Sequence, residues 1–141
     1  MTVADIAGMM DVSAVQAQST RADIEAVCAL AREFAVAAVF CLPAHVPYMR
    51  ACLGGGTRVK LASVSGFPGG AETTRIKAET AKELVGFGCD EVDMVGDRCG
   101  VKAAGGVRTL ETLRALHAVG VRRFGIGVKT ARTILEEATR A

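Results

Sequence analysis

Short apolar runs of strand length recur along this chain, each followed by residues at helical spacing, and that alternation constrains the fold more than any other feature. Ala37 to Leu42 is the clearest run. It is unbroken, with Val39 and Phe40 at its centre, as expected of a parallel strand covered on both faces. Pro43 and Pro47 end it. Ile6 to Val15, apolar except for Asp11 and Ser13, reads as the first strand, and Val59 to Val64 as the third. Glu91 to Val95 reads as the fourth, with Val92 and Met94 facing one way and Asp93 the other, away from the helix layer. Val101 to Ala104 and Arg123 to Val128 are the fifth and sixth. Between them, Thr20-Arg-Ala-Asp23 is a capping signature for a helix whose apolar positions are Ile24, Val27, Cys28, Ala31 and Phe34. Further helices are expected over Tyr48 to Leu53, over Glu72 to Phe87 with a stripe of Ile76, Leu84 and Val85, over Leu110 to Val119, and over Thr130 to Arg140. Repeated βα units imply a parallel sheet, either a barrel or a doubly wound sheet, with functional residues at the carboxyl ends of strands.

Length and composition set bounds. With 141 residues, half of them hydrophobic, the chain can bury the core of one soluble domain spanning residues 1–141. A formal net charge of +2, with no basic run, argues against nucleic acid or an anionic membrane as a partner. No apolar run approaches the roughly 20 residues of a spanning helix, and Met1 to Asp5 lacks a basic leader region. The five cysteines (Cys28, Cys41, Cys52, Cys89 and Cys99) form no Cys-x-x-Cys pair and fit free thiols in a reducing cytoplasm. His45 and His117 lie in no metal-ligand pattern, so no metal and no cofactor are expected.

The densest chemistry lies in Gly100-Val-Lys-Ala-Ala-Gly-Gly-Val-Arg-Thr109. Gly105 and Gly106 let the backbone approach a ligand closely, and Thr109 is placed to cap a helix beginning near Leu110. Strand end, paired glycine and helix start together favour an anion, phosphate first among them. Lys102 sits inside the strand. One reading makes it an amine of lowered pKa able to attack a carbonyl; the other makes it a lysine whose stem lies along apolar surface while its head reaches water.

Several segments together resemble the deoxyribose-phosphate aldolases, (β/α)8-barrel enzymes that work through a Schiff base. Met10-Asp-Val-Ser13, Phe40-Cys-Leu-Pro43, Val64-Ser-Gly-Phe-Pro-Gly-Gly70, Cys89-Asp-Glu-Val-Asp-Met-Val95 and the stretch Gly100 to Thr109 carry the likeness, in the family's order. The resemblance implies an α/β fold of TIM-barrel type. It implies reversible cleavage of 2-deoxy-D-ribose 5-phosphate to glyceraldehyde 3-phosphate and acetaldehyde. It also implies Asp93 as the carboxylate of a proton relay, Lys102 as the lysine that depresses the Schiff-base lysine's pKa, and Asp11 as an organiser of the site and its water. Gly105 and Gly106 would hold the substrate phosphate. In the last strand the family's serines are replaced in Phe124-Gly-Ile-Gly-Val-Lys-Thr130, where Gly125 and Gly127 keep the backbone open and Lys129 is available as a charge. From the residues alone, Asp11 can also be read as a turn residue and Asp93 as a strand-end carboxylate, and Cys41 reads as core rather than a reactive thiol.

The chain departs from the family between Val95 and Val101. There the family has a helix, two further βα units and the lysine that forms the Schiff base, whereas this chain has only Gly96-Asp-Arg-Cys-Gly100. Five extended residues span at most roughly 16–18 Å, while a parallel crossover takes about a dozen residues or more. Either the strand at Val101 runs antiparallel to the fourth, or the two are not neighbours, or the sheet stays open where the missing units belong. The expectation is an incomplete barrel of about six strands, and an open edge invites association, so a homo-oligomer is among the expected partners alongside a small sugar phosphate. Three functions follow: a shortened aldolase, a non-catalytic sugar-phosphate-binding remnant, and a fragment that acts only within an oligomer.

Overall fold

The computed structural model describes residues 1–96 and 103–140. The elements run α1 (Val3–Ala7), β1 (Met10–Ala14), α2 (Arg21–Phe34), β2 (Ala38–Cys41), a 3-10 turn (Pro43–His45), α3 (Val46–Leu53), β3 (Lys60–Ser65), α4 (Thr74–Gly86), β4 (Glu91–Met94), β5 (Ala103–Ala104), α5 (Leu110–Ala118), β6 (Phe124–Gly127) and α6 (Val128–Arg140). The six strands form one sheet in the order β4-β3-β2-β1-β6-β5, and every pairing is parallel. Consecutive strands neighbour one another from β1 to β4, and β6 closes back onto β1. The succession then stops, because β4 and β5 lie at opposite edges. Among the described residues the sheet is thus an incomplete barrel, open where the sequence skips from Val95 to Val101. Of the three ways to accommodate the short connection, two hold together: β4 and β5 are not neighbours and the sheet stays open between them, with β5 parallel to β6.

Alternation along the strands separates two faces. Met10, Val12 and Ala14 of β1, Val39 and Cys41 of β2, Leu61 of β3, and Phe124 and Ile126 of β6 join the helix-side core. That core is completed by Ile24, Val27, Leu30 and Ala31 of α2, Val46 and Met49 of α3, Leu113 of α5, and Ile134 and Leu135 of α6. The lumen side holds a smaller apolar cluster of Ala38, Phe40, Ala62 and Val64. Asp11 and Gly125 share that side with it and are register partners.

Beyond shifts of a residue or two at element ends, the structure departs from the sequence reading at the start of the first strand, along α4 and at the end of β6. Ile6 and Ala7 are helical, so the first strand begins only at Met10. Thr2 and Asp5 form a reciprocal capping box in which the Thr2 hydroxyl accepts from the Asp5 amide and the Asp5 carboxylate accepts from the Thr2 amide. The apolar stripe of α4 is also narrower than its sequence suggests. Leu84 is buried, but Ile76 is 42% and Val85 63% exposed. α4 packs on β3 and β4, and no further helix of the described residues covers its outer flank. Finally, β6 ends at Gly127 and Val128 already belongs to α6, so Lys129 stands in the first turn of that helix.

Candidate functional site

Two sets of polar groups occupy the lumen side at different heights. The lower set sits at the amino ends of the strands. Arg123, immediately before β6, donates from Nη2 and Nε to Asp11 Oδ1 at 2.6 and 3.1 Å, and from Nη2 to Glu91 Oε2 at 2.9 Å. Glu91 in turn accepts from Lys60 Nζ at 2.6 Å. The chain of charges therefore runs from β1 through the residue before β6 to β4 and β3. The Asp11 side chain is 2% exposed, and those of Arg123 and Glu91 are 35% and 24% exposed. Burial opposes the charge on Arg123, but hydrogen bonds to Asp11 and Glu91 outweigh it and hold the guanidinium above its ordinary value. For Glu91, burial pushes the carboxyl up, and the hydrogen bonds from Lys60 and Arg123 more than reverse that and lower it.

The upper set lies toward the carboxyl ends. Asp93 stands two positions beyond Glu91 on β4, roughly 6–7 Å further along the strand, and is paired in register with Val64. Val92, between them, packs against the helix-side core, so Asp93 does point away from the helices. Met94, on the same face as Val92, is 43% exposed. The third-strand loop is a built structure. Gly70 N–H donates to Gly66 O at 2.6 Å, and Lys77 Nζ donates to Val95 O at 2.9 Å and Gly70 O at 3.4 Å. The lysine and Val95 fill the space that side chains on the glycines would need: a Cβ at Gly66 would meet Lys77 Cδ at 2.7 Å, and one at Gly70 would meet Val95 Cγ1 at 2.8 Å.

On the far edge, Gly105 and Gly106 follow β5 with φ of +76° and +74°. Among the described residues, and apart from the adjoining ones in the chain, no atom lies within 4 Å of where a Cβ would stand on either, or on Gly127. That backbone conformation requires glycine, and the space above it is open. Thr109 caps α5 by accepting from Thr112 N–H at 3.1 Å, as its sequence position predicts. β5 and β6 are neighbours with Ala104 opposite Gly125, so Gly105, Gly106 and Gly127 gather at adjoining strand ends, beside the start of α6. Gly125 lies lower, next to Asp11.

The sequence-derived candidates therefore divide. Gly105, Gly106 and Gly127 are brought together, and Asp93 faces the lumen from the other edge. Asp11 is at the amino end, bound to Arg123. Lys102, with Val101 and Cys99, lies outside the described residues. Arg123, Glu91, Lys60 and Lys77 were not singled out for these roles by the sequence. The available signal was a charged residue at or just before the first position of strands whose next residue is core, as in Lys60-Leu61, Glu91-Val92 and Arg123-Phe124. Burial raises the Cys41 thiol to about 12, with the neighbouring Cys89 adding to it, which leaves Cys41 a core residue and a poor nucleophile. Among the described residues no group of His, Cys, Asp and Glu is arranged to hold a metal.

No family model matches the chain. The deoxyribose-phosphate aldolase of Micrococcus luteus is 34% identical over 142 residues, taking in 98% of this chain and 61% of that protein. The chain is a shortened relative of the deoxyribose-phosphate aldolases. The same name belongs to a protein of Exiguobacterium sibiricum, 37% identical over 91 residues that cover 64% of this chain and 41% of that one. It also belongs to one of Mycobacterium tuberculosis, 40% identical over 96 residues covering 68% and 41%. The fold agrees with solved aldolases. A tetrameric deoxyribose phosphate aldolase from Aeropyrum pernix superposes with a TM-score of 0.83 at 17% identity, over 98% of this chain and 92% of that one. An aldolase designated QR15 does so with a TM-score of 0.82 at 20% identity, over 96% of each. This shortened aldolase relative thus keeps the family's barrel architecture around an open gap.

Proposed function

We propose that the chain is one β/α domain spanning residues 1–141, lacking βα units between residues 95 and 101. It binds a sugar phosphate, with aldolase chemistry reduced to slow or undetectable turnover. The observation that supports this is the contrast between the two edges of the gap. The glycine turn after β5 is formed and its surroundings are open, whereas the chain passes from β4 to β5 with no counterpart of the segment that carries the family's Schiff-base lysine. The phosphate is assigned to Gly105, Gly106 and Gly127 at the β5 and β6 ends, where backbone N–H groups and the first turn of α6 favour an anion. Gly125 keeps the strand below them free of side chains.

Aldol cleavage of 2-deoxy-D-ribose 5-phosphate requires an amine that condenses with the C1 aldehyde and releases water. A base then takes the proton of the C3 hydroxyl, the C2–C3 bond breaks to give glyceraldehyde 3-phosphate, and the electron pair is held as an enamine. Protonation at C2 gives the imine of acetaldehyde, and its hydrolysis takes up one water, frees the amine and releases acetaldehyde. Asp93 is the group assigned to proton transfer, and Lys102 is the amine through which residual imine chemistry would run. Asp11 is assigned to holding the lumen charges. No helix of the described residues is long and apolar enough to cross a membrane, and a cytoplasmic site with free thiols is proposed. A homo-oligomer built on the open edges is the proposed assembly.

Borohydride reduction in the presence of 2-deoxy-D-ribose 5-phosphate, followed by intact mass, tests the chemistry: a trace adduct or none is expected, and stoichiometric trapping would restore the full aldolase reading. Thermal unfolding with inorganic phosphate and with the sugar phosphate tests the binding, because a ligand of the native state raises the midpoint. No shift with either would leave only the reading of a fragment that acts within an oligomer.

A further inference from the structure

The edge strand β4 is poorly anchored by burial. None of its four residues is fully buried, its packing neighbours are β3 and α4, and at the far edge of the sheet β5 is not its neighbour. In a closed barrel such a strand is held on both sides by backbone hydrogen bonds. Here the second side is without a strand partner among the described residues, which is the usual condition for fraying. Yet Glu91, the first residue of β4, reaches Arg123 at the start of β6, and Arg123 also grips Asp11 on β1. β4 and β6 are separated in the sheet by β3, β2 and β1, so this contact spans the lumen rather than following the sheet.

We propose that the Asp11–Arg123–Glu91 bridge is a cross-lumen tie that sets the curl of the open sheet, doing by side chains what the absent strands would do by backbone pairing. The forked guanidinium suits the task because one cation serves two acids on different strands at once. Asp11 anchors the fork in a fully buried position and Glu91 is the end that moves with β4. Lys60 contacts Glu91 from β3, the strand that β4 already pairs with. It adds nothing across the lumen. Among the described residues this bridge joins β4 to the other side of the open sheet, with Glu91 as its releasable member.

Hydrogen–deuterium exchange of the full chain at neutral pH, read by mass spectrometry on peptides covering residues 89–95, tests this against Glu91→Gln, Arg123→Lys and Lys60→Met. The Lys side chain keeps a cation beside Asp11 but is shorter and lacks the Nε donor that fixes the head on Asp11, so Glu91→Gln and Arg123→Lys should each speed exchange at β4 by roughly three- to ten-fold. Peptides from α2 and β2 should be unchanged, and Lys60→Met should change β4 less than either. The tie is overturned if β4 exchange is the same in all variants. It is equally overturned if β4, α2 and β2 speed up by a common factor, because the bridge would then contribute only to global stability. Retained slow exchange in α2 also shows that the variants have folded.

Discussion

Replacing Asp11 by alanine separates a site role for this residue from the structural one its surroundings indicate. Its carboxylate is 2% exposed and receives two hydrogen bonds from one guanidinium, at 2.6 and 3.1 Å. Removing one member of a buried ion pair typically costs about 3–5 kcal/mol, because the other charge is left behind. Arg123 is 35% exposed and keeps Glu91 at 2.9 Å, so its head can recover part of that loss in water. The expected destabilisation is about 2–3 kcal/mol, the cost of one to two hydrogen bonds to a charged group. With a urea slope of about 1–3 kcal/mol/M for a chain of this size, the midpoint should fall by roughly 0.7–3 M. Asp11→Asn, which keeps an acceptor for Arg123, should lose about half as much. The assay is urea unfolding followed by circular dichroism, with sugar-phosphate binding measured in parallel on protein that remains folded. A shift below about 0.5 kcal/mol, the size of an ordinary surface change, combined with lost binding would refute the structural reasoning and return Asp11 to the site.

Asp93→Asn should leave the chain folded and remove whatever cleavage activity exists, by a factor on the order of 10²–10⁴; equal turnover in a coupled glyceraldehyde 3-phosphate assay would sink its assignment to proton transfer. Gly106→Val forces a branched side chain onto a φ of +74° and should cost about 1–2 kcal/mol. It should also weaken 2-deoxy-D-ribose 5-phosphate far more than unphosphorylated deoxyribose in calorimetry, and equal losses would leave the glycine only its turn. Because the Glu91 carboxyl is lowered in the folded chain by Lys60 and Arg123, its contribution is present above its unfolded value of about 4.3 and is lost as pH falls through the folded value. Wild-type stability should therefore decline more steeply below pH 5 than that of Glu91→Gln, and parallel curves would contradict the pairing. After reduction with acetaldehyde, any modified peptide should contain Lys102; an adduct on Lys129 or Lys60 that survives Lys102→Ala would place the amine chemistry on another strand.

Strand–helix order was readable because each βα unit carries its own period and caps. Thr20 and Asp23 fix the start of α2 by reciprocal hydrogen bonds, and the run around Val39 has no polar side chain to place on either face. The face of Asp93 followed from strict alternation with Val92. What was not legible depends on partners far away in sequence. Arg123 and Asp11 are 112 positions apart, and nothing local to either residue marks the other as its neighbour. The exposure of Ile76 and Val85 was hidden for a related reason: a helix pattern shows which residues are apolar, not whether a neighbouring helix exists to cover them. Thr2-Val-Ala-Asp5 carried the same capping logic as Thr20 to Asp23, but the apolar continuity from Ile6 to Val15 masked it as strand.

The barrel survives the loss of whole units for the reason its strands were readable. Each strand is held by a parallel ladder to its neighbours and by the helix that follows it, so removing a contiguous block leaves the remaining registers intact, as the pairings from β4 round to β5 show. The chemistry has no such modularity. An aldolase site draws its amine, its acid–base group and its phosphate cradle from different strands, and it needs them at fixed separations to within a fraction of an ångström. Here the proposed cradle lies on β5 and β6 and Asp93 on β4, at the two edges of the gap, so any drift in gap width changes the distance between them directly. The strand registers therefore persist on both sides of the gap, while the proposed chemistry depends on whatever fixes that width. Among the described residues, the side-chain group that spans the lumen to do so is Arg123 with its two acids.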